Sequence, residues 1–419
     1  MTVRLAVAGG NRGSRFDKVL NGLQDQIELV AVCDPSDTVR TAWTEGRSEL
    51  TAYSSLEELV EDPTIDAVFI ATPMLLHARQ ALTALNAGKH VLSEVTATAT
   101  LEECYELVET VEKTGLTYMM AENYCYRREA MLVKQMAHAG EFGELTYAEG
   151  AYIHDCRDLM FNDDLSRTWR GGAWGTGNTQ SSRGNGYPTH SLGPIAQWFG
   201  INRGDRLVRT TTFVTQSAAR QEWAQTVLPD GHPDATDAAW ADFTDSATTL
   251  IQTEKGRVIC LRKDSASPRP HNMALHSLQG TGGAYISGRH DDEEPLAWVS
   301  GKSGGVSPAN FSYTDKARPA EHVGVSRAEW QSLWDFADEF EHPYWRDLGD
   351  DAREAGHGGG DYFVMYDFAR AIAGEIDPPI DVYDAVTWSS IFPLSIENVK
   401  RNGEPIDVPD FKKGRKSRS

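Results

Sequence analysis

The chain has 419 residues, room for two or three domains of ordinary size. Hydrophobic residues make up 40% and charged residues 24%, the balance of a globular protein with buried cores. A formal net charge of −21 argues against general affinity for nucleic acid or anionic membranes, although a pocket can still be locally positive.

Five cysteines (Cys33, Cys104, Cys125, Cys156, Cys260) are widely spaced and include no C-x-x-C pair. They read as reduced thiols, with no zinc site implied. No apolar run approaches the length that spans a bilayer, and no export signal precedes the first strand. The expectation is a cytoplasmic protein with no membrane or nucleic-acid partner.

"VRLAVAGGNRGSRFDKVLNGL" opens with an apolar strand, turns through glycines and continues at helical spacing. The turn, Gly9-Gly10-Asn11-Arg12-Gly13, matches the dinucleotide fingerprint G-x-G-x-x-G only in part, because Ala8 stands at its first position. A second strand, "IELVAVCDP", ends in Asp34, about twenty residues after the turn, where a carboxylate can accept the ribose hydroxyls of NAD and would repel a 2′-phosphate. Strands and helices then alternate: "SLEEL" with a capping box at Ser55/Glu58, "DAVFIATP", "HARQALTALNAG", "HVLSEV", a helix from a second capping box at Thr100/Glu103 to Gly115, and "TYMMAEN". This order predicts a doubly wound parallel sheet over residues 1–123, with ligands at the carboxyl ends of its strands.

From residue 124 the alternation stops. An amphipathic helix, "RREAMLVKQMAHAGEFG", precedes β-rich runs that suit an open, mostly antiparallel sheet, and helices close the chain. Residues 124–419 are therefore expected to form a substrate-binding α+β domain. Segments 156–186 and 287–330 read as irregular, and long loops in a compact enzyme often build the site. Ser303 fits G-x-S-x-G, but it lies in a polar loop with the Gly-rich segment after it, the reverse of a serine hydrolase.

"GNGYPTHSLGP" places Tyr187 and His190 on a support stiffened by prolines. They are either packing residues at a helix start or titratable groups aimed at a ligand. Tyr152 and His154 alternate on one strand and so share a face.

The chain resembles the Gfo/Idh/MocA oxidoreductases, and more closely glycoside hydrolase family 109, the NAD-dependent α-N-acetylgalactosaminidases. The likeness runs nearly end to end and rests on "LEECYELV", "AENYCYRREAM", "FGELTYAEGAYIHDCR", "YPTHSLGPIAQW", "RPHN", "GHGGGDYF" and "DVYDAVTWSSIFPLS". It implies NAD contacts at Gly10, Asn11, Arg12, Asp34, Met74, His77, Glu94, Val95 and Asn123, and sugar contacts at Tyr152, Arg170 and Tyr187 to His190. Glu122, beside Asn123 at a strand end, is assigned to the substrate side.

Ordinary dehydrogenases of the superfamily carry Glu-Lys-Pro where this chain has Glu94-Val95-Thr96, so their lysine base is missing. The resemblance then implies a glycosidase that oxidises C3, eliminates at C1, adds water and re-reduces, with His190 or Tyr187 handling the C3 and C2 protons. Tyr152 and His154 would hydrogen-bond the sugar or protonate the leaving group. An NAD-dependent sugar dehydrogenase is the alternative. Lys263 and His271 replace family positions that contact sugar, which adds positive charge. The expected substrate is a small glycoside, either anionic (sulfoquinovoside-like or a uronide) or an α-N-acetylgalactosaminide, and a homo-oligomer is expected. "GHGGGDYF" is either a substrate-side loop or a helix start.

Overall fold

A computed structural model describes residues 2–172, 183–269, 273–290, 293–304 and 329–413. Six parallel strands form the first sheet: β1 (Val3–Ala8), β2 (Ile27–Cys33), β3 (Thr51–Tyr53), β4 (Ala67–Ile70), β5 (His90–Ser93) and β6 (Tyr118–Met120). Their order, β3-β2-β1-β4-β5-β6, is that of a dinucleotide-binding sheet. Strand β4 is buried at every position, as a central strand covered by helices on both faces must be.

The Thr100/Glu103 box caps its helix reciprocally, and Gly115 ends that helix in the left-handed region at φ 66°. The Ser55 box forms only half: Ser55 Oγ accepts from Glu58 N, but the Glu58 carboxylate turns to Ser54 Oγ. The helix expected after the glycine turn is broken into short pieces, Gly10–Gly13, Ser14–Phe16 and Asp17–Gly22.

The second sheet has nine strands, in the order β14-β13-β12-β11-β7-β10-β9-β8-β15. They are β7 (Leu145–Ile153), β8 (Leu207–Val214), β9 (Ser246–Thr253), β10 (Val258–Asp264), β11 (Met273–Gly280), β12 (Gly283–Ile286), β13 (Leu296–Val299), β14 (Gln331–Ser332) and β15 (Ile406–Asp407). All its pairs are antiparallel except β7 with β10, which run parallel. The stretch expected to be irregular over 287–330 contains β13. Its four residues, "LAWV", are too short to stand out from the polar chain around them.

One helix joins this sheet to the site. Thr189–Phe199 is buried along its whole length, and Gly200 ends it at φ 69°. A helix buried on every side is packed on every side, and its polar groups must find partners within the fold. It lies on β7 at Gly150, where an added Cβ would sit 2.3 Å from Ser191 O. Trp198 Nε1 ties its far end to Ala130 O at 3.0 Å. Pro194 inside the helix has no N–H for the carbonyl of His190 one turn back. That carbonyl is taken instead by His276 of β11, whose Nε2 lies 3.2 Å from both His190 O and Ser191 O.

Two outcomes follow. Gly150→Ala forces the helix off the sheet, and urea unfolding should show a loss of about 1–3 kcal/mol, the cost of overpacking. Burial pushes the His276 imidazole down to about 4, so it stays neutral in the fold but takes up a proton near pH 6.5 once unfolded. Its contribution is therefore fully present above about pH 6.5 and is lost as pH falls toward 4. His276→Gln should flatten the dependence of unfolding free energy on pH within that window.

Candidate active site

A cavity of about 760 Å³ opens at the carboxyl ends of the parallel strands. Gly9, Asn11 and Arg12 line it after β1, Asp34 after β2, Thr72, Met74 and His77 after β4, and Glu94 and Val95 after β5. Trp169, Arg170 and Tyr187 of the second domain close its inner wall.

The glycines of the turn are there for space. Gly9 has φ 96°, and a Cβ on it would meet Ala71 O at 2.5 Å. A Cβ on Gly13 would meet Val7 Cγ1 at 2.3 Å, so Gly13 lets helix and strand touch. Gly10 N donates to Asp34 Oδ2 at 2.9 Å, fastening the turn to the end of β2. The Arg12 guanidinium pairs with Glu94 at 2.6 Å across the cavity. The two ring nitrogens of His77 lie 2.7 and 2.8 Å from Thr72 O and Thr96 O, bracing the loops after β4 and β5. The Val95–Thr96 peptide is cis. These features fit NAD: a glycine cradle that a Cβ would fill, a carboxylate at the end of β2, and at Asn123 a buried Oδ1 with no partner.

Around His190 the rings converge. Its centroid lies 4.3 Å from Tyr124, 5.0 Å from Tyr152, 5.1 Å from Tyr187 and 6.3 Å from His357. Behind it stands Glu122, fully buried, with Oε1 2.7 Å from His190 Nδ1. Glu122 Oε1 also accepts from Tyr124 N at 3.2 Å. Glu122, expected on the substrate side, thus has no solvent-facing surface and backs the imidazole. A buried carboxylate on Nδ1 fixes the tautomer that leaves Nε2 as the base. Burial holds Tyr187 and Tyr152 well above the ordinary phenol range, so both remain protonated donors at neutral pH.

His154 lies just past the end of β7, and its ring turns to Cys156, with Nδ1 3.1 Å from Sγ. Arg170 Nη1 is 3.8 Å from the same sulfur. Burial alone would raise the Cys156 thiol, but the His154 hydrogen bond and the Arg170 charge bring it below its usual range. Lys263 lies beside Tyr152 in the strand register. His271 falls outside the described residues.

Sequence reasoning missed Tyr124, Asp361 and the pairing of Glu122 with His190. Asp361 accepts from Asn123 Nδ2 at 2.7 Å and lies 3.1 Å from His357 Nδ1. Burial would raise its carboxyl, yet His357 and Arg12 hold it below the usual range. "GHGGGDYF" is therefore both a helix start and a support of the site, since Gly360 has no room for a Cβ against Asn123 O at 2.2 Å. The motif's glycines were the available signal.

Fold and site together define an NAD-binding domain of the oxidoreductase type joined to a second domain built on a mixed, mostly antiparallel sheet. Residues 3–122 match the oxidoreductase family with an NAD-binding Rossmann fold, and residues 126–418 match the C-terminal domain of glycosyl hydrolase 109. The chain belongs to glycosyl hydrolase family 109. It is 36% identical to a family 109 protein of Saccharopolyspora erythraea, over 99% of this chain and 84% of that one. It is 32% identical to an α-N-acetylgalactosaminidase of Tannerella forsythia, over 96% and 85%. A levoglucosan dehydrogenase solved with NADH and L-sorbose shares the fold, with a TM-score of 0.73, 18% identity, and coverage of 98% of this chain and 100% of that one.

Asp34→Ala should weaken NAD binding, measured by calorimetric titration, while the circular dichroism spectrum stays unchanged. Equal affinity in the variant would remove Asp34 from the ribose site.

Proposed function

We propose that the protein is an NAD-dependent glycosidase that cleaves small glycosides by oxidation at C3, elimination at C1, addition of water and re-reduction. The observation that carries this reading is the buried Glu122–His190 pair at 2.7 Å, packed against Tyr152 and against Tyr187, which itself lines the nucleotide cavity. Gly9 to Arg12, Asp34, Met74, His77, Glu94, Val95 and Asn123 would hold the cofactor. The chemistry supplied by bound NAD is removal of a hydride from C3 and its later return, with no net redox change.

The residues of the chain carry the protons. His190 Nε2 accepts the C3 hydroxyl proton as the hydride leaves and, once that proton has passed to solvent, the C2 proton that the C3 ketone acidifies, while Glu122 steadies the imidazolium. Tyr187 or Tyr152, held protonated by burial, donates to a sugar or leaving-group oxygen. Arg170 orients sugar oxygens. No lysine follows Glu94 to serve as the base of an ordinary dehydrogenase. The substrate is an anionic glycoside or an α-N-acetylgalactosaminide. The same reading takes the enzyme as cytoplasmic and homo-oligomeric. No helix among the described residues is long and apolar enough to cross a membrane. Exposed Phe213, Leu250 and Ile286 on the second sheet support self-association.

Aryl glycosides incubated in deuterated water should release phenol without growth of NADH absorbance at 340 nm, and the product should carry deuterium at C2. His190→Ala should lower kcat by about 10²–10⁴-fold. Stoichiometric NADH from free sugars, with no phenol release, would instead establish a sugar dehydrogenase.

A further inference from the structure

Among the described residues, the second domain holds a group of cations without a carboxylate in ion-pair distance. Lys263 on β10 is in parallel register with Tyr152 on β7, so the two side chains stand side by side on one sheet face. Lys263 Nζ donates to Ser265 Oγ at 2.7 Å, and Arg220 Nη2 donates to the same oxygen at 2.6 Å. One neutral hydroxyl thus receives two cations. Arg220 is buried, its Nη1 reaches only Arg170 O at 3.5 Å, and its Nε has no partner. Arg170 lies over the Trp169 ring at 4.3 Å and lines the nucleotide cavity. Lys263 and Arg170 are partly open, and Arg220 lies buried behind them.

Among the described residues, none of the three cations forms an ion pair with a carboxylate. The nearest acids are engaged elsewhere. Asp245 accepts from the backbone N–H of Ala219 and Arg220, and Asp264 from Ala266, Ser267 and the Arg262 guanidinium. Burial, and then the charge of Arg220, push the Lys263 ammonium down to about 8. Cys156, Asp264 and Asp245 offset part of the cations' charge through space, but neither carboxylate hydrogen-bonds the side chain of any of the three cations. Charges taken out of water without a counter-ion are costly, and an oxyanion entering from the cavity offsets that cost.

We infer that Lys263, Arg170 and Arg220 form a subsite for a negatively charged substituent of the sugar, a carboxylate or a sulfonate, next to Tyr152 and the catalytic imidazole. This rests on the glycosidase reading and selects the anionic substrate class within it. The subsite binds through charge-assisted hydrogen bonds from Lys263 Nζ and the Arg170 guanidinium, with Arg220 adding charge from behind and Ser265 holding Lys263 and Arg220 in place.

The test uses the NAD-loaded protein with nitrophenyl glycosides of glucuronic acid, sulfoquinovose and N-acetylgalactosamine. The anionic glycosides should give the higher kcat/KM, and the two anionic arms tell carboxylate from sulfonate. Lys263→Met should lower the ratio of anionic to neutral kcat/KM by about 10- to 100-fold, and Lys263→Arg should restore most of it. A higher kcat/KM for the neutral sugar in the unmodified enzyme overturns the inference. So does an equal loss on both classes in Lys263→Met. Calorimetric titration with free glucuronate and sulfoquinovose reads the subsite without turnover. Binding that Lys263→Met abolishes, in a protein that cleaves no glycoside, keeps the subsite and rejects the glycosidase reading. Glycoside cleavage with no such binding rejects the subsite alone.

Discussion

The site depends on one buried carboxylate. Glu122 sits at the end of the last parallel strand with no exposed surface, and it must be hydrogen-bonded or neutralised to stay there. Its partners are the Tyr124 amide and the His190 imidazole. The imidazole comes from a helix of the other domain. Its approach is set by Gly193, where a Cβ would meet Glu122 Cγ at 2.8 Å and Cys125 Sγ at 2.9 Å. The junction between the domains is thus built around an acid–imidazole contact on which the rings of Tyr124, Tyr152 and Tyr187 pack.

The same logic of close approach recurs on the nucleotide side. Gly9, Gly13 and Gly360 each occupy a place where a methyl group would collide with backbone or core, so these residue choices follow from distances. The cations of the second domain follow a different rule. Arg203 is matched to Asp384 and Arg257 to Asp205, as partly buried guanidinium groups ordinarily are. Among the described residues, Arg170, which lines the cavity, and Arg220 and Lys263 beside it depart from that rule.

The parallel sheet was readable from residue order because each of its strands is a short apolar run followed by a capped helix, and local signals suffice for that pattern. Asp34, Arg12 and Glu94 were readable as wall residues for the same reason: strand ends face the ligand in such sheets. The Glu122–His190 contact was not readable, because it joins residues 68 positions apart through a helix whose seat is decided by Gly150 and Gly193. The parallel pairing of β7 with β10 was hidden likewise, since alternation within a strand says nothing about its neighbour's direction. Ser55 shows the limit of a local motif: Glu58 had a nearer hydroxyl at Ser54 and took it.

Pro194 and His276 form a pair whose meaning lies in inheritance. The proline withholds one amide from the helix, and an imidazole from a distant strand replaces it on the carbonyl of the residue that carries the base. A lineage that lost His276 alone would leave that carbonyl buried and bare, whereas losing Pro194 first would let an ordinary helical amide take over. The order of substitution therefore matters, and the proline acts as a ratchet that keeps the histidine in place.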